Sequence, residues 1–149
     1  MRYVKKILGQ LNDLLLVNFE VEKIYSDVID EVTDDSLRLF FKERALERNE
    51  FSKRINIEIE ALGETPERIG ALSKNFYKIK TKFKNLAFVK NESDLLDEVF
   101  NLKQDSINKY NEVLMQPHLP LKLCKILVKQ RDSIQATLRV LKREYAVVA

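Results

Sequence analysis

Three glycines and three prolines in 149 residues leave this chain very few places to turn. Sheets joined by tight turns draw on glycine, proline and short polar residues. A loop that cradles phosphate needs several glycines close together. Both are excluded, and long helices are what remains. Hydrophobic residues make up 45% of the chain and charged ones 33%, enough to bury a core and stay soluble. The lone Cys124 excludes an intramolecular disulfide and a cysteine-rich zinc site, and the lone His118 excludes a multi-histidine metal site.

Hydrophobic spacing predicts four long helices. In the first, about 4–32, Ile7, Leu11, Leu14, Val21, Tyr25, Val28 and Val32 recur at three- and four-residue steps. Thr33-Asp34-Asp35-Ser36 then offers a turn and an N-cap. The second helix, about 36–62, stops at Gly63 with Pro66 just beyond. The third, about 93–115, starts at a cap on Ser93 and ends before Pro117-His118-Leu119-Pro120. The fourth covers about 121–146.

Connection lengths set the expected architecture. Helices one and two share a tight turn and run antiparallel, as do three and four. The stretch 63–92 is too long for a tight turn and can cross a whole bundle. The third helix then runs parallel to the second. The expectation is all-α: a single domain over 1–149 with the ferritin-like up-down-down-up arrangement and one long crossover.

The crossover carries its own amphipathic helix, about 72–88, with Leu72, Phe76, Ile79, Phe83 and Leu86 as one stripe. Residues 67–91 hold seven basic side chains against Glu67 alone, a net +6 on a body of net −3. Lys74, Lys78, Lys80, Lys82 and Lys84 are either a solvated face or a docking surface for an anionic partner, nucleic acid or a lipid headgroup. No base-reading motif accompanies them. The apolar run Leu14-Leu15-Leu16-Val17 is too short for a signal core or a membrane span, so a cytoplasmic protein is expected.

At about 100° per residue, Asn18 and Glu22 fall inside the apolar arc of helix one and Glu20 points away. Helix two shows two apolar flanks, Leu39, Leu46 and Ile57 on one side and Leu37, Phe40, Phe51, Ile55 and Leu62 on the other. Glu43, Glu47, Glu50, Arg54 and Glu58 lie between them, which aims carboxylates at the core. Buried carboxylates need compensation. One form is metal. Ferritin-like di-iron sites take a Glu from each of two helices and a Glu-x-x-His pair from each of the others. Glu22 with Glu47 and Glu50 makes half such a site for iron or manganese.

The second half is missing. Helix three turns Leu95, Val99, Leu102, Ser106, Tyr110 and Val113 inward, and its Glu98 and Asp105 fall outside. Helix four turns Leu123, Leu127, Ile134, Leu138, Leu141 and Tyr145 inward, with Gln130 and Arg131 at the margins. Asp132 and Gln135 point out, and His118 is held in a loop. The preferred compensation is therefore the protein's own cations. Lys103, Arg54 and Arg131 neutralise Glu22, Glu43, Glu47 and Glu50 in a buried network that needs no cofactor. Cys124 reads as a packed side chain, and no Ser-His-Asp arrangement can be assembled around His118. Tyr25, Tyr110 and Tyr145 read as core residues with hydroxyls bonded to the network.

Several loose motifs occur in a fairly specific order. They are Leu11-Asn12-Asp13-Leu14-Leu15, Leu37-x-x-Phe40-Phe41, Leu62-Gly63 with Pro66, Gly70-Ala71-Leu72-x-x-x-Phe76-x-x-Ile79-Lys80, Lys109-Tyr110, Leu119-Pro120 and Gln130. Together they resemble an uncharacterised bacterial family of ferritin-like four-helix bundles, a domain of unknown function. The resemblance implies the bundle and no established activity. It implies no strict di-iron site either, since members tend to carry Gln or Glu where Glu47 and Glu50 stand. This chain departs further, with Lys103 where members often carry Glu and Leu138 where many carry His. The expected function is a non-enzymatic, stress-related structural or interaction protein that forms a homo-oligomer. The alternatives are a ferritin-class carboxylate protein binding iron or manganese, and a binder of anionic surfaces through the crossover lysines.

Overall fold

The computed structural model describes residues 2–64 and 92–145, with side chains described for 4–64 and 95–141. Four helices follow in order: α1 (Arg2–Ile29), α2 (Asp35–Ala61), α3 (Glu92–Leu114) and α4 (Leu121–Tyr145). There is no strand among the described residues, so the chain is all-α there. The crossover helix expected at 72–88 and the Tyr145 side chain lie outside the described residues. None of the described helices is long and apolar enough to cross a membrane.

Helix ends follow local chemistry. α1 stops at Ile29, three residues short of the expected Val32. The chain leaves the helix to place Asp34 in an extended conformation, where its side chain accepts a hydrogen bond from the Leu37 N–H at 3.0 Å. That contact satisfies one of the orphan donors of the first turn. At the far end of α2, Gly63 takes a left-handed φ of 80°. Glu64 N–H then reaches back to Ile59 O at 3.3 Å and Gly63 N–H to Glu60 O at 2.9 Å, a Schellman closure that favours glycine at this position.

The chain divides into two compact units, Met1–Val89 and Lys90–Ala149. In the first, α1 and α2 pack as an antiparallel hairpin. Asn18 lies opposite Arg48 and Tyr25 opposite Phe41, so seven residues forward on α1 match seven back on α2. Leu11, Leu14, Val21, Tyr25 and Val28 of α1 are buried, together with Leu37, Phe41, Ala45, Ile55 and Ile59 of α2. In the second unit, α3 and α4 form another antiparallel hairpin. Its buried rows are Leu95, Val99, Leu102, Tyr110 and Val113, and Leu123, Leu127, Ile134, Leu138 and Leu141, the residues that their spacing turned inward.

The facing of α2 corrects the sequence expectation. Leu39, Leu46 and Ile57, expected to flank the core, are 56%, 61% and 52% exposed. The core row instead runs through Leu37, Phe41, Ala45, Ile55 and Ile59. The buried face is therefore turned by roughly a third of a turn from the bisector of the two apolar arcs. Phe41→Ala is accordingly expected to destabilise the fold by about 3–5 kcal/mol. Leu46→Ala is expected to change stability by less than about 0.5 kcal/mol. Urea unfolding of the two variants checks the facing, and a larger loss at Leu46 would refute it.

Candidate functional site

Each hairpin carries a seam of polar side chains through its apolar core. In the first unit the seam centres on Arg48. Arg48 is 1% exposed and Asn18 fully buried, and the Arg48 Nη1 donates to Asn18 Oδ1 at 2.9 Å. One face of Tyr25 packs on Phe41, ring centres 5.6 Å apart. Burial pushes the Tyr25 hydroxyl up to about 12 from its ordinary 10.0. The neighbouring Arg48 works against that rise, Glu47 adds to it, and Arg44 opposes it again.

A second row borders this centre. The Asn49 side-chain amide donates to both carboxylate oxygens of Glu22, at 3.2 and 3.4 Å. Arg44 pairs with Glu47 at 3.4 Å and lies 5.8 Å above the Phe40 ring. Further along α2, Arg54 pairs with Glu58 at 3.4 Å. Glu58 is buried there, as is Glu20 on α1.

Several expected members of the buried network are not buried. The side chains of Glu43, Glu50 and Arg54 are 54%, 71% and 46% exposed. Glu43 reaches Arg44 at 3.7 Å and Glu50 reaches Lys53 at 3.5 Å, both at the surface. The rotation of α2 that exposes Leu46 carries these residues into water with it. Glu22 and Glu47 are half-buried. Glu20, expected to point away, is 1% exposed. The four consecutive residues Leu14 to Val17 are all buried as well, so α1 has no solvent side at its middle. Arg48, which sequence spacing did not single out, occupies the inner position. Its place in the row Leu37-Phe41-Ala45-Arg48-Ile55-Ile59 was the available signal.

The seam of the second unit centres on the buried ammonium group of Lys103. Lys103 is 1% exposed, and its Nζ donates to Thr137 Oγ1 at 2.8 Å. Thr137 Oγ1 in turn donates to the Ile134 carbonyl at 2.8 Å. Seven residues on, the Tyr110 hydroxyl donates to Gln130 Oε1 at 2.6 Å. Arg131, half-buried, donates to Asn111 Oδ1 at 3.0 Å and pairs with Asp132 at 3.1 Å. Ser106 closes on the Leu102 carbonyl of its own helix at 3.0 Å.

The donor set of α1 and α2 does not fit a divalent ion. Glu22 accepts from Asn49, Glu47 is paired with Arg44, and Glu50 stands in water. Among the described residues no three His, Cys, Asp or Glu side chains gather closely enough to hold a metal ion. His118 is exposed at the α3–α4 connection with a left-handed φ of 69°, and Cys124 is half-buried on α4. Lys74, Lys78, Lys80, Lys82 and Lys84 lie outside the described residues.

The sequence pattern of a family described as a domain of unknown function (DUF2383) matches residues 6–116, a span that includes α2 and α3 and nearly all of α1. No curated protein and no solved structure matches the chain.

Two experiments address the first seam. The folded chain holds the Tyr25 proton more tightly than the unfolded chain does. Tyr25 therefore contributes fully below pH 10, and the contribution is lost as pH rises toward about 12. The stability of the wild type relative to Tyr25→Phe is expected to fall by roughly 1 kcal/mol between pH about 9 and about 11. No change would show that the phenol titrates normally. Arg48→Met and Asn18→Leu are each expected to destabilise by about 2–4 kcal/mol, because each strands a buried partner. The double variant is expected to lose less than the sum of the two. Strict additivity in chemical denaturation would show that the two side chains act independently.

Proposed function

The chain belongs to the DUF2383 family, a domain of unknown function, and from that premise we propose a non-enzymatic helical protein that acts through its surface. In this reading the two hairpins pack as a ferritin-like, up-down-down-up bundle in one domain, and the long connection after α2 spans the bundle. A pair of helices alone leaves part of each apolar stripe open to water, and stacking one hairpin on another closes it. The interior holds no metal. The protein is cytoplasmic, associates with copies of itself, and serves as a structural or interaction module.

The observation that supports this most strongly is Arg48. A guanidinium does not release its proton in a protein. At the inner position of α2 it places a fixed positive charge where a carboxylate site would need a cation. Lys103 is equally buried in the second hairpin. The half-buried carboxylates of Glu22 and Glu47 are already engaged by Asn49 and Arg44. The pairs Arg48–Asn18, Lys103–Thr137 and Tyr110–Gln130 each form within one hairpin, so they select how helices meet instead of presenting reactive atoms.

Elemental analysis of protein purified without a histidine tag tests the reading. Iron and manganese are expected far below one per chain, and melting is expected to be indifferent to a chelator. Either metal near one per chain, lost together with stability on chelation, would favour the ferritin-class carboxylate alternative.

A further inference from the structure

The outer face of α2 exposes Leu39, Leu46 and Ile57, each more than half open to water. They are seven and eleven residues apart, close to two and three whole helical turns, so they lie in one straight row about 27 Å long. The positions that complete the row are charged. In order it reads Leu39, Glu43, Leu46, Glu50, Lys53, Ile57, at alternating steps of four and three residues. That is the spacing of a coiled-coil seam. All six side chains are exposed, and the core-facing residues Phe41, Arg48 and Ile55 occupy the opposite side of α2.

The order of these residues is self-complementary in one direction only. About a midpoint at residue 48, Leu39 mirrors Ile57, Glu43 mirrors Lys53 and Leu46 mirrors Glu50. Two copies of α2 laid antiparallel about a two-fold axis at that level bring apolar side chains together at both ends. Each acid of Glu43 then meets the partner's Lys53, and each Leu46 lies along the methylene stem of the partner's Glu50. A parallel pair would stack Glu43 on Glu43, Glu50 on Glu50 and Lys53 on Lys53. We propose that this face is a homodimer interface in which two α2 helices pair antiparallel. The proposal rests on the self-association named above and assigns it a surface. The local ion pairs of Glu43 with Arg44 and of Glu50 with Lys53 are solvent-exposed and leave both groups able to reach across. A seam this short and this charged makes a reversible dimer, sensitive to salt.

Sedimentation equilibrium of the full chain, from about 1 to about 300 µM at low salt, reads the dissociation constant. Wild type is expected to equilibrate between monomer and dimer. Glu43→Lys and Lys53→Glu are each expected to weaken the dimer at least about tenfold, and the swap Glu43→Lys with Lys53→Glu to restore it to within about threefold. Circular dichroism confirms that each variant is folded, since both positions face water. A wild type that stays monomeric throughout overturns this interface and the self-association with it. A dimer indifferent to both single variants overturns the interface alone. Weakening by the single variants without rescue by the swap overturns the antiparallel pairing.

Discussion

Arg48 places a guanidinium at the inner position of α2, so the α1–α2 hairpin has to accommodate a cation inside its core. Removing such a group from water costs several kcal/mol, and neighbouring groups must offset that cost. Asn18 supplies a carboxamide oxygen at 2.9 Å, a charge-assisted bond of about 1.5–3 kcal/mol. The residues around this bond share its electrostatics. Burial makes the Tyr25 phenol harder to ionise, and the nearby guanidinium works against that effect. Arg44 and Glu47 balance each other on the rim. The apolar rows give the hairpin its driving force, whereas this cluster determines which turn of α1 meets which turn of α2.

The second hairpin solves the same problem of register with different chemistry. Lys103 with Thr137 and Tyr110 with Gln130 are polar contacts one heptad apart across α3 and α4. A row of leucines can slide by a turn and remain apolar against apolar. A buried ammonium or phenol displaced by a turn would lose its acceptor, at a cost of about 1–3 kcal/mol for the stranded group. Polar residues that are expensive inside a core thus act as locks on its alignment.

The two faces of α2 divide the labour of the first unit. Its inner row holds α1 through Phe41, Arg48 and Ile55. Its outer row repeats the mixture of apolar and charged side chains in water, ordered so that a second copy can match it. A helix that is amphipathic in the ordinary sense would bury one face and solvate the other. α2 instead carries apolar residues on both faces, Leu37, Phe41 and Ile55 inside and Leu39, Leu46 and Ile57 in water.

That distribution separates what the sequence determined from what the tertiary structure decided. The four helices were legible because glycine and proline are scarce elsewhere, and Asp34, Gly63 and the Pro117–Pro120 break fix the ends through caps and missing donors. The inward rows of α3 and α4 were legible because their apolar residues crowd onto one side. The candidate site was only partly so. Asn18, Lys103 and Gln130 sit within or beside clear apolar arcs, whereas Glu43, Glu50 and Arg54 were placed inside by bisecting two separate apolar arcs. On α2, periodicity offers two solutions, and only the packing of Phe41 and Arg48 against Tyr25 and Asn18 chooses between them. Burial is a property of what a helix meets, and a sequence periodicity describes only the helix itself.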